Sequence, residues 1–106
     1  MRFETIKRKS EFNRLYKQGQ RKQSRYFTIY ALENDQLMIR AGISTGKYIG
    51  NAVVRNRIRR IIKELLRKCD LTKKGLDLLI IAKKESVSAT YGQIKQSIYH
   101  ALSSFN

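Results

Sequence analysis

A chain of 106 residues that is 42% apolar fits one domain, residues 1–106, and carries enough apolar side chains for a modest core, which excludes a disordered basic tail. Its 23 Lys and Arg stand against 8 Asp and Glu, a formal net charge of +15 that points to a polyanionic partner: nucleic acid first, an anionic membrane surface or an acidic protein otherwise. The lone cysteine, Cys69, excludes an intramolecular disulfide and reads as a small core residue. With no secretion signal at the start and no apolar run near the ~18 residues of a membrane span, a soluble cytoplasmic protein without a membrane partner is expected.

In chain order, Ser10 is the expected cap of a short helix in which Phe12, Leu15 and Tyr16 recur at helical spacing, and Gly19 is its stop. "RYFTIYAL" then alternates as a strand, with Phe27, Ile29 and Ala31 on one face and Tyr26, Thr28 and Tyr30 on the other. The turn-prone "ENDQ" separates it from "LMIRAGI", where Leu37, Ile39, Ala41 and Ile43 alternate with Met38, Arg40 and Gly42, so the two read as an antiparallel hairpin. "STGKYIG" is a loop, and Asn51 is placed to cap a long helix, without the Glu or Gln three positions on that would complete a capping box. "GLDLLIIA" is a nearly unbroken apolar run, the pattern of a central strand covered on both faces. Thr90 and Gln93 have capping-box spacing ahead of a last helix striped by Tyr91, Ile94, Ile98, Ala101, Leu102 and Phe105. The expected fold is α+β, a two-layer α/β sandwich with a mixed sheet of four-stranded type in the order α-β-β-α-β-α. No proline interrupts any of these elements.

The positive charge is concentrated in two segments. Residues 2–25 hold nine basic and two acidic side chains, and residues 40–74 hold eleven and two. Within the second, "GNAVVRNRIRRIIKELLRK" combines an apolar stripe of Val54, Ile58, Ile61, Ile62, Leu65 and Cys69 with a polar side of Asn56, Arg59, Arg60, Lys63 and Arg67. Burying the stripe would fix the helix rotation and hold the cations as a rigid row. Arginine predominates, which suits forked contacts to phosphate oxygens, and Arg55 and Arg57 add to the positive end of the helix dipole. Phe12, Tyr16, Tyr26 and Tyr30 lie among the N-terminal cations. They are either stacking platforms for single-stranded bases or, for Phe12 and Tyr16 at core spacing, packing residues. His100 has no acid or nucleophile near it in sequence, and no catalytic or metal-binding motif is present, so no catalytic residue is expected.

"GNAVVRNRIRRIIKE" closely resembles the signature of the bacterial ribonuclease P protein subunit. "SEFNRLYKQG", "SRYFTIYAL", "LLIIAKK" and "TYGQIKQSI" resemble its first helix, aromatic strand, last strand and last helix, so the likeness spans nearly the whole chain. The resemblance implies an α/β sandwich with a left-handed βαβ crossover. It also implies membership of a holoenzyme in which a catalytic RNA subunit removes the 5′ leader from precursor tRNA. Magnesium would be held by that RNA, with no cofactor bound tightly by the protein alone. Arg55, Asn56, Arg57, Arg59, Arg60, Lys63 and Arg67 would face the catalytic RNA. Phe12, Tyr16, Arg25, Tyr26, Tyr30 and Lys47 would line a cleft for the leader. Many members have a proline after the last strand, where this chain has Glu85 and Ser86. The main alternative is a structural RNA-binding protein of ribosomal type with no part in cleavage; an autonomous nuclease would need a catalytic cluster that the motifs do not supply, and a basic DNA-binding protein is a third reading that competition with duplex DNA at physiological salt would expose.

Overall fold

The computed structural model describes residues 3–36, 38–69 and 75–105. Three α-helices, α1 (Lys9–Gln18), α2 (Ala52–Arg67) and α3 (Tyr91–Ser103), pack on a five-stranded mixed sheet. Its strands are β1 (Phe3–Thr5), β2 (Gln20–Gln23), β3 (Phe27–Asn34), β4 (Ile39–Ser44) and β5 (Gly75–Ala82). Their spatial order is β1-β4-β5-β3-β2.

The most apolar strand takes the middle. β5 pairs antiparallel with β3 and parallel with β4, so both of its edges and both of its faces are covered. That arrangement overturns the expected hairpin: β3 and β4 flank β5 and do not pair with each other. A strand apolar on both faces loses most water when it gains two neighbours, and β5 outcompetes the local turn for that reason. Leu37, expected at the start of β4, lies outside the described residues. The parallel β4-α2-β5 connection is the βαβ unit of the fold.

Two short strands carry no hydropathy signal. β1 has only three residues, pairing parallel with β4, and β2 is the wholly polar "QRKQ", pairing antiparallel with β3. A charged strand suits a sheet edge, where it discourages pairing with another chain.

α2 and α3 cover one face of the sheet. There Ile58, Ile62, Leu65, Leu66 and Cys69 join Ile94, Ile98 and Leu102 over Ile29, Ala31, Leu78 and Ile80 in one buried cluster. α1 lies across the other face, where Leu15 packs with Ile6 and Leu79 and the half-buried Phe12, Tyr30, Leu32 and Ile81 complete a smaller cluster.

The helix ends follow local chemistry. The Asn51 side chain accepts the Val54 N–H, and Thr90 with Gln93 forms a complete capping box. The cap expected at Ser10 does not form: α1 begins two residues earlier than that cap would place it, at Lys9, with Arg8 as a cap that makes no side-chain bond. The Arg8 carbonyl accepts from Glu11 and Phe12, so the first turn closes on the backbone alone. Gly19 does end α1, and a Cβ there would lie 2.5 Å from the Leu15 carbonyl oxygen. Gly50 takes φ of 151°, a conformation essentially reserved for glycine, and turns the chain into the Asn51 cap.

Because Ile62 is fully buried at the centre of the α2 stripe, Ile62→Ala is expected to cost ~2–5 kcal/mol of stability in urea unfolding. Val53→Ala, on the same helix but 77% exposed, should change stability by no more than about 0.5 kcal/mol.

Candidate nucleic-acid interface

The cations of α2 divide into two sets. Asn56, Arg60 and Arg67 are exposed and point away from the sheet, as the helical pattern predicts. Arg55, Arg57, Arg59 and Lys63 are half-buried. Arg59 precedes Ile62 by three residues, which places it only about 60° from the buried stripe and not opposite it. The single acid inside the helix, Glu64, is engaged by Lys68 at 2.9 Å, an exposed pair that lowers the carboxyl pKa and raises the ammonium pKa. Among the described residues, Arg55, Arg59 and Arg60 therefore have no carboxylate partner.

Arg55 and Arg59 reach the open face of the sheet. With Phe12, Tyr16, Ile43, Ser44, Thr45 and Leu79 they line a cavity of about 330 Å³. A second hollow of about 280 Å³, lined by Thr5, Ile6, Phe12, Ile43, Arg59 and Lys63, shares Phe12, Ile43 and Arg59 with the first. The two form one trench between α1 and the N-terminal half of α2. Arg55 Nε donates to the Thr45 carbonyl at 2.9 Å, which fixes the guanidinium at the trench wall. Thr45 is buried, and its hydroxyl has no hydrogen-bond partner among the described residues.

The aromatic wall is built from α1. The Phe12 ring lies against Gly42 so closely that a Cβ on that glycine would come within 2.1 Å of it. Tyr16 is half-exposed and meets Tyr30 edge-on, with ring centroids 5.0 Å apart. A bridge under the helix holds this wall in place. Arg40 donates to Glu11 at 2.7 Å and contacts Asp77 at 3.3 Å, while Asn34 donates to the same Asp77 at 2.8 Å. The Glu11 hydrogen bond, aided by the Asp77 charge and opposed by desolvation, raises the Arg40 pKa further above its ordinary value. Glu11 immediately precedes Phe12, so the bridge fixes the register of α1 on the sheet.

A trench with stacking faces on one side and, on the other, guanidiniums that have no carboxylate partner among the described residues is suited to an unpaired nucleic-acid strand. A family model described as Ribonuclease P matches residues 1–106. The chain belongs to the ribonuclease P protein family. It is 40% identical to the ribonuclease P protein component of Bacillus mycoides over 97 residues, which cover 90% of this chain and 84% of that protein. It is 37% identical to the component from Streptococcus equi subsp. equi, over 92% of this chain and 82% of that one. The solved Staphylococcus aureus RNase P protein superposes with a TM-score of 0.86 at 34% identity, covering 96% of this chain and 94% of that one.

The structure gathers some of the residues that the ribonuclease P resemblance assigned to the leader cleft and disperses others. Phe12, Tyr16 and Tyr30 stand together. Lys47 is exposed in a 3-10 turn, Lys47–Ile49, just beyond the end of β4. Arg25 and Tyr26 lie elsewhere: Tyr26 precedes β3, packs against the α2-α3 core and lines a groove beside α3. The expectation that Tyr26 shares a face with Tyr30 fails because strict alternation holds only inside the strand, and β3 starts at Phe27. The sequence reading also missed Thr45, Ser44 and Tyr48. Tyr48 is 57% exposed and donates its hydroxyl to the Ala82 carbonyl at 2.8 Å, but it falls in a loop with no periodic signal. After the last strand, residues Lys84–Ser88 form a short 3-10 helix.

Gly42→Ala is expected to push the Phe12 ring off the sheet, costing ~1–3 kcal/mol in urea unfolding and shifting the Phe12 ring resonances. Unchanged resonances would show that the ring does not rest on this glycine.

Proposed function

We propose that the chain is the protein subunit of ribonuclease P and assists a catalytic RNA subunit in removing the 5′ leader from precursor tRNA in the cytoplasm. The observation that carries this reading is the trench, which has Phe12 and Tyr16 on one wall and Arg55 and Arg59 on the other. Leader bases stack on the rings while the guanidiniums take phosphates, so the protein favours precursor over mature tRNA. The outward Asn56, Arg60 and Arg67, with Arg57, face the catalytic RNA; the three arginines neutralise its backbone and Asn56 offers an amide hydrogen bond.

In this reading the reaction belongs to the RNA, and RNA-bound magnesium supplies the charge stabilisation and the activated water. Among the described residues, no three His, Cys, Asp or Glu side chains gather as metal ligands would, and the Glu11 and Asp77 carboxylates are both held by Arg40. The side chains on the trench bind and orient; they offer no nucleophile and base in partnership. Seating the leader beside the RNA active centre lowers the magnesium concentration that cleavage requires.

The test is reconstitution with a ribonuclease P RNA and precursor tRNAs of graded leader length. Protein should stimulate cleavage most at low magnesium, and Tyr16→Ala should weaken leader-dependent binding by about 1–3 kcal/mol, the contribution of one stacked base. A structural RNA-binding protein would give affinity independent of leader length and no stimulation. Arg60→Ala should instead reduce the dependence of log K on log[salt] by about 0.7–0.9, the contribution of one phosphate contact, at every leader length. Equal effects of both substitutions on both readouts would refute the division between cleft and outward face.

A further inference from the structure

The groove that takes Arg25 and Tyr26 away from the trench is left without a role by the reading above. It measures about 440 Å³ and is lined by Ser24, Arg25, Tyr26, Gln93, Gln96, Ser97 and His100, a set without a single acid. The Arg25 guanidinium sits 5.5 Å from the centre of the Tyr26 ring. Its frame is built in advance. The Ser24 and Ser97 hydroxyls are hydrogen-bonded at 2.6 Å, Ser24 accepts the Tyr26 and Phe27 N–H groups, and Lys83 donates its ammonium to the Ser24 carbonyl and its backbone N–H to the Tyr26 carbonyl. The Arg25 guanidinium, the Gln96 amide and the His100 ring make no hydrogen bond within the described residues. A tyrosine face under a guanidinium, flanked by amides that both donate and accept, is the chemistry that receives one unpaired nucleotide.

The position of the groove identifies whose nucleotide it is. Ser44, Ile81, Thr28 and Gln23 form one register row across the sheet, so the trench at the end of β4 and the groove beside β2 and β3 open at the same sheet end. From β4 to β2 is three strand spacings, about 14 Å, or about four stacked nucleotides at ~3.4 Å each. That end is fringed by the exposed Lys47, Tyr48 and Lys84, with Glu85 as the one acid in the adjoining turn.

We propose that the leader of precursor tRNA, after leaving the trench, rounds this end of the sheet and places a distal nucleotide in the Tyr26 groove. The inference rests on the leader reading of the trench and adds a second, separable contact. It makes the protein a measure of leader length: short leaders fill the trench alone, and longer ones engage both sites.

The experiment is equilibrium binding of the reconstituted holoenzyme to mature tRNA and to precursors whose leaders lengthen one nucleotide at a time to about ten. Wild-type affinity should rise in two stages, the second beginning about four nucleotides after the first levels off. The double variant Arg25→Ala with Gln96→Ala changes only exposed side chains. It should keep the first stage and lose the second, about tenfold for the longest leader, the loss expected for one charged hydrogen bond. Tyr26→Leu, which keeps an apolar side chain against the core, should lose the second stage as well. A loss of equal size at every length, mature tRNA included, would assign the groove to the RNA subunit and overturn the proposal. So would no loss at all, which would make it ordinary solvated surface. Tyr16→Ala is the separate control: an unaltered first stage in that variant would defeat the trench reading itself and not the groove.

Discussion

The structure depends on the burial of one stripe along α2. Ile58, Ile62, Leu65 and Leu66 have no exposed surface, and each such side chain removed from water contributes roughly 1.5–3 kcal/mol. Together they leave the helix a single rotation about its axis. That rotation decides where every arginine goes. Side chains opposite the stripe face outward, while Arg59 and Lys63 at its margin, and Arg55 in the first turns where the helix clears the sheet, come round to the trench. A +15 chain with few acids cannot neutralise these groups internally, so the fold holds repelling cations in place until a polyanion takes them up.

The opposite wall depends on contacts between distant segments. α1 is short and buries only Leu15 fully, so its hold on the sheet needs more than apolar area. The bridge from Arg40 to Glu11 and Asp77 supplies direction, and the absence of a side chain at Gly42 supplies room for Phe12. A partly buried ion pair adds little net stability once desolvation is counted, and its role here is to fix orientation. Gly50 does the same for α2, since its backbone conformation sets the angle at which the helix starts.

Much of this was legible in the sequence where one element carries its own signal. α2, α3, β5 and the caps at Asn51 and Thr90 are periodic or chemically marked, and the structure has them where the pattern puts them. The errors arise where pairing is decided by tertiary competition. Nothing local in "ENDQ" says that β5 will enter between β3 and β4. "QRKQ" has no alternation, so β2 exists only because β3 offers it a ladder. Tyr26 and Tyr30 are four residues apart, yet the strand begins between them and they face different layers. The family resemblance indicated a cleft and its occupant but not that Arg55 and Arg59 serve its wall. That follows from an angular offset on α2 that the residue types alone leave unresolved.

The central claim is that Arg59 on α2 and Tyr16 on α1 act on the same stretch of RNA because the buried stripe turns Arg59 into the trench. A double-mutant cycle on precursor binding, measured with Arg59→Ala, Tyr16→Ala and both, tests this directly, with Arg60→Ala replacing Arg59→Ala in a parallel cycle. The account predicts a coupling above about 0.5 kcal/mol for Arg59 with Tyr16 and additivity for Arg60 with Tyr16. Additivity in both cycles, or coupling only through Arg60, would contradict it.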